Sequence, residues 1–155
     1  MISITGIIEA YGLFGLFISS LVGSTIFLPF SVDLVLPVML KSGLNPYSVL
    51  ITATIGSLLG TWINYLFGYM GSKIIYRHVK EEKVIRTKKI VDRYGWLGLL
   101  IIIAIPFPLP VDPITILLGI ARMNFIEFTI IVFLGKLFKY SLVIGMLEFI
   151  LKVIP

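Results

Sequence analysis

Two aspartates and two lysines stand in stretches that are otherwise apolar: Asp33 and Asp112, each near prolines, and Lys136 and Lys139, followed by Tyr140. The lysines and the tyrosine are spaced i, i+3 and i+4, so on a helix they share one face. A charge among apolar neighbours needs a partner or a change of protonation, because desolvation penalises the ionised form. Two acids and two bases point to a neutral polar cluster. Its lysines can bind an anionic group, while an aspartate freed by that ligand takes up a proton or cation. The bland alternative is that the four residues form fixed ion pairs locking one element against another. Asn64, polar in a glycine-rich apolar run, joins them as a further candidate for substrate or ion binding.

Other chemistries fail on the residues available. The lone histidine, His78, lies in a basic segment, which leaves a serine nucleophile without a buried base. There is no cysteine, hence no thiolate, and no metal-ligand spacing or phosphate-binding loop. Paired aspartates invite comparison with an intramembrane aspartyl protease, but each stands among prolines and lacks a Gly-x-Gly-Asp context. The chain is therefore expected not to be an enzyme and to need no cofactor.

The elements that must position these residues are membrane helices. Of 155 residues, 58% are hydrophobic and 14% charged, with a mean hydropathy of +1.06, whereas soluble domains carry about 25% charged residues. The net charge of +5 is concentrated in residues 72–93, where eight basic residues stand against three acidic ones, 8 − 3 = +5. That location argues against nucleic acid and for a short basic loop on the cytoplasmic side of a cell membrane. The N-terminal apolar run reads as part of the mature chain and not as a signal peptide, since Glu9 and no Lys or Arg precede it.

The sequence also repeats itself. An offset of 79 pairs Pro29 with Pro108, Val32 with Val111, Asp33 with Asp112, Asn45 with Asn124 and Gly56 with Gly135. Upstream, 11–16 matches 94–99 at an offset of 83. Two collinear blocks per half indicate a duplication. The organisation expected is a single membrane domain: repeat one over about 11–71, the basic loop 72–93, and repeat two over about 94–152. The position matched to Lys136 is Ser57, and to Lys139 it is Gly60, so the charges belong to one half.

Each half reads as a short apolar segment, a proline-containing break, a second short segment and one long helix. Pro29 and Pro37 mark the first break; Pro106, Pro108, Pro110 and Pro113 mark the second and exclude continuous helix there. The runs 95–105 and 114–121 are too short to cross individually, which favours a re-entrant hairpin. The run 12–28 is long enough to cross by itself, so for the first half both readings stand. Asn45-Pro46 and Asn124 with Glu127 give helix starts, and the long helices are expected over 46–71 and 125–152. Gly56, Gly60 and Gly68 form a small-residue stripe suited to close helix packing. With one crossing per half, the halves are inverted, the fold is all-α, and both termini lie opposite the basic loop. Such a plan places a site near the bilayer midplane.

These residues resemble the DedA family, also called the SNARE-associated or VTT-domain family, over nearly the whole chain. The likeness is carried by Gly56 to Gly68 with Asn64-Tyr65 and Gly71, by Pro108-Leu109-Pro110-Val111-Asp112-Pro113 with Gly119 and Phe128, and by Gly135-Lys136-Leu137-Phe138-Lys139-Tyr140, similar to its short YqaA-like branch. The resemblance implies two re-entrant loops facing each other from opposite membrane sides. It also implies a role in moving lipids, either polyprenyl-phosphate carriers or phospholipids, with coupling to protons. This chain departs from better-studied bacterial members, having apolar Ile103 and Leu109 where they carry arginines around the second proline loop. The expected function is a lipid flippase or scramblase, with or without proton or ion coupling. The alternatives are an ion-coupled carrier of small solutes and a non-catalytic membrane scaffold for envelope homeostasis. Expected partners are membrane lipids, with protons or cations as coupling ions and no nucleic acid; a homo-oligomer is left open.

Overall fold

The computed structural model describes residues 4–25, 32–75, 81–106 and 112–153. They form six helices: α1 (Ile4–Gly23), α2 (Leu36–Lys41, preceded by a 3-10 turn Val32–Leu34), α3 (Pro46–Ile75), α4 (Glu81–Ala104), α5 (Asp112–Ile120) and α6 (Phe125–Val153). No strand occurs among the described residues. Within α3 and α6, Pro46–Gly71 and Phe125–Val153 are long and apolar enough to cross a membrane. At 1.5 Å per residue each helix extends about 40 Å, against a hydrocarbon core of about 30 Å.

Both long helices begin as their sequences dictate. The Asn45 side chain accepts a hydrogen bond from the Tyr47 amide at 2.9 Å, and Pro46 at the first position has no amide to satisfy. Asn124 does the same for Ile126 at 2.9 Å and Glu127 at 3.4 Å. Each helix is preceded by a turn with one residue at positive φ, Gly43 (φ 82) in the first half and Arg122 (φ 54) in the second.

The contacts give the directions. Along α3, Val49 and Ala53 share a core with Tyr140 and Ile144 of α6, while Leu58 and Tyr65 share another with Phe128, Ile131 and Val132. Residue numbers rise on one helix as they fall on the other, so α3 and α6 run antiparallel. By the same test α1 runs parallel to α3: a Cβ on Gly56 would lie 2.7 Å from the Phe17 carbonyl oxygen, and one on Gly60 would collide with the Leu21 carbonyl. The chain then returns through the 3-10 turn and α2, bringing Leu44 back to Gly12. The end of α1 thus reaches only the middle of α3. Helix α5 starts at that middle, with Thr115 beside Asn64, and runs toward the C-terminal end of α3, where Gly68 and Gly119 bring the two backbones together. The last turns of α4 lie on α6, Ile103 and the Leu100 carbonyl packing against Gly135.

Two expectations need comment. The segment 72–93, expected as a loop, is helical over 72–75 and again from Glu81, where α4 begins. No glycine or proline interrupts 81–94, its Lys, Arg and Glu are good helix formers, and Glu82 and Arg86 are spaced i, i+4; charge does not forbid helix. α4 bends at Gly95 (φ 57, ψ −161), at the boundary between the basic segment and the apolar one. Of the prolines read as breaks, Pro106 follows the end of α4, Pro37 lies in the first turn of α2 and Pro113 in the first turn of α5, all places where a missing amide costs little. Pro29, Pro108 and Pro110 lie outside the described residues.

The close approach of α3 and α5 is a testable constraint. In Gly68→Ala the new methyl meets the rigid Ile116 backbone, so the helices must separate, at a cost of about 1–3 kcal/mol. Gly145→Ala, on α6 with nothing within 4 Å, should be neutral or stabilise by up to about 1 kcal/mol. Thermal unfolding of the two variants in detergent checks the contrast.

Candidate functional site

Polar side chains gather at the middle of α3, where α1 ends and α5 begins. Ser57, Thr61 and Asn64 follow at i, i+4 and i+7 and line one face of α3, all completely buried. Opposite them on α6 stands Lys136, 7% exposed. Its ammonium donates to the Ser57 carbonyl at 2.9 Å, to the Thr61 hydroxyl at 2.5 Å and to the Ser57 hydroxyl. Tyr140, one turn on, donates to the Ser57 hydroxyl at 2.9 Å, and the Ser24 hydroxyl lies 2.5 Å from it. A buried ammonium is expensive unless its protons are satisfied, and here a backbone carbonyl and two hydroxyls satisfy them.

Asn64 joins the two halves. Its amide donates to the Ser24 carbonyl, just past the end of α1, at 2.9 Å, and to the Thr115 hydroxyl, in the first turns of α5, at 3.3 Å. One side chain on α3 therefore ties the end of α1 to the start of α5. Ser20, one turn before Ser24, is fully buried, and its hydroxyl has no partner among the described residues. It leaves spare hydrogen-bonding capacity beside the cluster.

The two lysines that share a face by spacing go to different places. Lys139 forms an ion pair with Asp33 at 2.9 Å, their side chains 13% and 20% exposed, at the flank of the bundle. Lys136 points to the centre. Tyr140 connects them: its ring lies 5.9 Å from the Lys139 ammonium, while its hydroxyl reaches the Ser57 hydroxyl that Lys136 also touches. Polar groups thus follow one another from flank to centre. Asp112 is the first residue of α5, and its side chain lies outside the described residues. Gly56 and Gly60 lie against α1, and Gly68 against α5.

Sequence reasoning passed over Ser24, Thr61 and Thr115, and took Ser57 only as the repeat match of Lys136. Two signals were present. The spacing of 57, 61 and 64 is a helical face, and the offset of 79 pairs Ser57 with the residue that contacts it. Neither signal ranks one hydroxyl above the many that membrane helices satisfy on their own preceding turn, as Thr54 and Thr129 do here.

Removing the ammonium tests its bonding. Lys136→Met leaves buried hydroxyls short of a partner and should destabilise the protein by about 1–3 kcal/mol. A double-mutant cycle on Asp33→Asn and Lys139→Met should show coupling of about 0.5–3 kcal/mol, as contacting residues do. Unfolding of the wild type and the four variants in detergent measures both; additive effects for Asp33 and Lys139 would mean the pair is not formed in the folded protein.

Comparison with known proteins places this arrangement. The VTT domain matches residues 28–149. An uncharacterized protein of Methanocaldococcus jannaschii is 31% identical over 147 residues, covering 94% of this chain and 89% of that one. An uncharacterized protein of Rickettsia prowazekii is 31% identical over 134 residues, covering 86% and 93%. The inner membrane protein YqaA of Escherichia coli strain K12 is 31% identical over 136 residues, covering 85% and 88%. No solved structure matches significantly. With two helices long and apolar enough to cross a membrane and a match over most of its length, the chain belongs to the VTT-domain, or DedA, family of membrane proteins and is a YqaA-like member of it.

Proposed function

We propose that this protein moves phosphate-bearing lipid headgroups across the membrane through the polar cluster between two inverted halves. The observation that carries the proposal is the buried ammonium of Lys136, held at the middle of α3 where α1 ends and α5 begins. A cation placed there is costly, so its position calls for a use, and an anionic headgroup is the ligand it would attract.

The pattern of contacts supports the inverted arrangement. Adding 79 turns Ser57 into Lys136 and Thr61 into Tyr140, and the two bonds Lys136–Thr61 and Ser57–Tyr140 then map onto each other. The contacts of Gly56 with Phe17 and Ser20 correspond to those of Gly135 with Leu100 and Ile103, at 79 and 83. Reciprocal contacts of this kind are what a two-fold relation between halves produces. With α3 antiparallel to α6, its axis lies across the helices, as in inverted-repeat transporters. In this reading each half crosses once, the hairpins are re-entrant, the basic segment faces the cytoplasm and the termini face the opposite side.

A lipid is favoured over a small solute by the line of polar groups from the Asp33–Lys139 pair at the flank, through Tyr140 and Ser57, to Lys136. Such a line lets a headgroup enter sideways while its chains stay among the apolar side chains outside, where Leu34 and Phe138 are exposed. Protons are candidate coupling ions through Asp33 and Asp112.

The test is translocation of fluorescent phospholipid and of polyprenyl phosphate, separately, in liposomes containing the purified protein, against protein-free liposomes. The wild type should raise the rate for at least one lipid. Lys136→Met and Asn64→Leu, shown to be folded, should lower that rate by about tenfold or more, equivalent to about 1.4 kcal/mol of barrier. Baseline rates for both lipids in the wild type would remove the proposal and leave solute transport or a scaffold role. Wild-type rates in both variants would remove the cluster from it.

A further inference from the structure

The turns that precede the two long helices are built alike but filled differently. In each, a residue at positive φ closes the preceding helix: the Gly43 amide donates to the Leu40 carbonyl at 3.1 Å, and the Arg122 amide to the Gly119 carbonyl at 3.0 Å. In the second turn the Met123 amide also reaches back to Leu118, at 3.2 Å, completing a Schellman motif. The two residues occupy the same place in the repeat, since 43 and 122 differ by 79. At φ 82 glycine meets no Cβ penalty, whereas arginine at φ 54 does. A strained backbone kept with a long cationic side chain where the sister turn has glycine indicates that the side chain is used.

Its surroundings say for what. Arg122 borders an open cavity of about 570 Å³ lined by Tyr65, Leu66, Tyr69, Phe125 and Ile126, among others. The guanidinium lies 5.3 Å from the centre of the Tyr69 ring and has no carboxylate within ion-pair distance among the described residues. The Tyr65 hydroxyl donates to the Met123 carbonyl at 2.5 Å, fixing the turn against α3. The cavity lies at the end of α3 that leads into the basic segment 72–93, a membrane face whose charge gathers anionic lipids. Its apolar wall includes exposed Leu66, Tyr69 and Ile126.

We propose that the α5–α6 turn is an interfacial site for the phosphate of an anionic lipid, bound by the Arg122 guanidinium with the upper acyl chain along Leu66 and Ile126. Arginine suits a phosphodiester through its forked donors. The site is distinct from the buried cluster and requires only that the protein lie in a bilayer, so it stands or falls independently of transport.

The experiment is binding of short-chain phosphatidylglycerol and phosphatidylcholine to the purified full chain in non-ionic detergent, measured by calorimetry, with inorganic phosphate as a third ligand. Wild type should bind phosphatidylglycerol at least about tenfold more tightly than phosphatidylcholine, a difference of about 1.4 kcal/mol. Arg122→Gly should abolish that preference while leaving the unfolding temperature unchanged or higher, because glycine relieves the turn. That combination separates lost binding from lost folding. Arg122→Gln, which keeps the length without the charge, should also lose the preference. An undiminished preference in both variants overturns the site. Inorganic phosphate that binds as tightly as the lipid and displaces it would assign the site to a free anion and overturn the lipid.

Discussion

An ammonium ion in the middle of an apolar bundle has few places to go, and the packing of α3 on α6 is arranged around the one it has found. Lys136 lies about 17 Å along α6 from its start at 1.5 Å per residue, too deep for its head to reach a membrane surface along its own helix. Its protons must be met inside, which they are by the Ser57 carbonyl and the Ser57 and Thr61 hydroxyls. The carbonyl is already the acceptor of the Thr61 hydroxyl at 2.7 Å, so the lysine adds to a local network that α3 makes for itself. The crossing point of the two long helices is fixed in this way to within a turn. Cores on either side of it, around Val49, Ala53 and Ile144 and around Leu58, Phe128 and Val132, are built mainly of aliphatic and aromatic contacts and would tolerate sliding more readily.

Bringing two further segments to that point requires backbones to approach closely, and glycine supplies the space. Gly56 and Gly60 let α1 lie on α3 until Ser24 reaches Asn64; Gly68 and Gly119 let α5 do so from the other end, so that Thr115 reaches the same side chain. In a bilayer, helices gain little from hiding apolar surface from one another, and such close contacts with a few interhelical hydrogen bonds carry association instead. Packing and the proposed site therefore rest on the same few residues of α3: the glycines position the segments, and the hydroxyls and the amide between them make up the polar cluster.

In the proposed inverted-repeat reading the two halves share a scaffold but not their charges. Ser57 faces Lys136, Gly60 corresponds to Lys139, and Gly43 corresponds to Arg122. Each substitution puts a cation on the second half where the first has a small residue. The first half contributes Asp33, which Lys139 holds. In that reading the charge is asymmetric: the turn before α2 is tied to α6 by an ion pair, and the position equivalent to that lysine on α3 carries no side chain at all.

Much of this was legible in one dimension. Hydropathy fixed the membrane class, Asn45-Pro46 and Asn124 fixed the starts of the long helices, and the offsets of 79 and 83 named pairs whose contacts correspond in space. These are local properties: a cap acts within one turn, and a repeat is a property of the string. The helix over 81–94 was hidden because charge was read as loop when propensity and spacing supported helix. What the sequence by itself left open was partnership. The i, i+3, i+4 spacing put Lys136, Lys139 and Tyr140 on one face of α6, yet Lys136 went to hydroxyls on α3 and Lys139 to Asp33. Spacing along a helix says which side chains point together, but not where a second helix crosses. That crossing is set by the apolar clusters α3 shares with α6 and by the depth at which the ammonium is satisfied, and only the assembled bundle decides both.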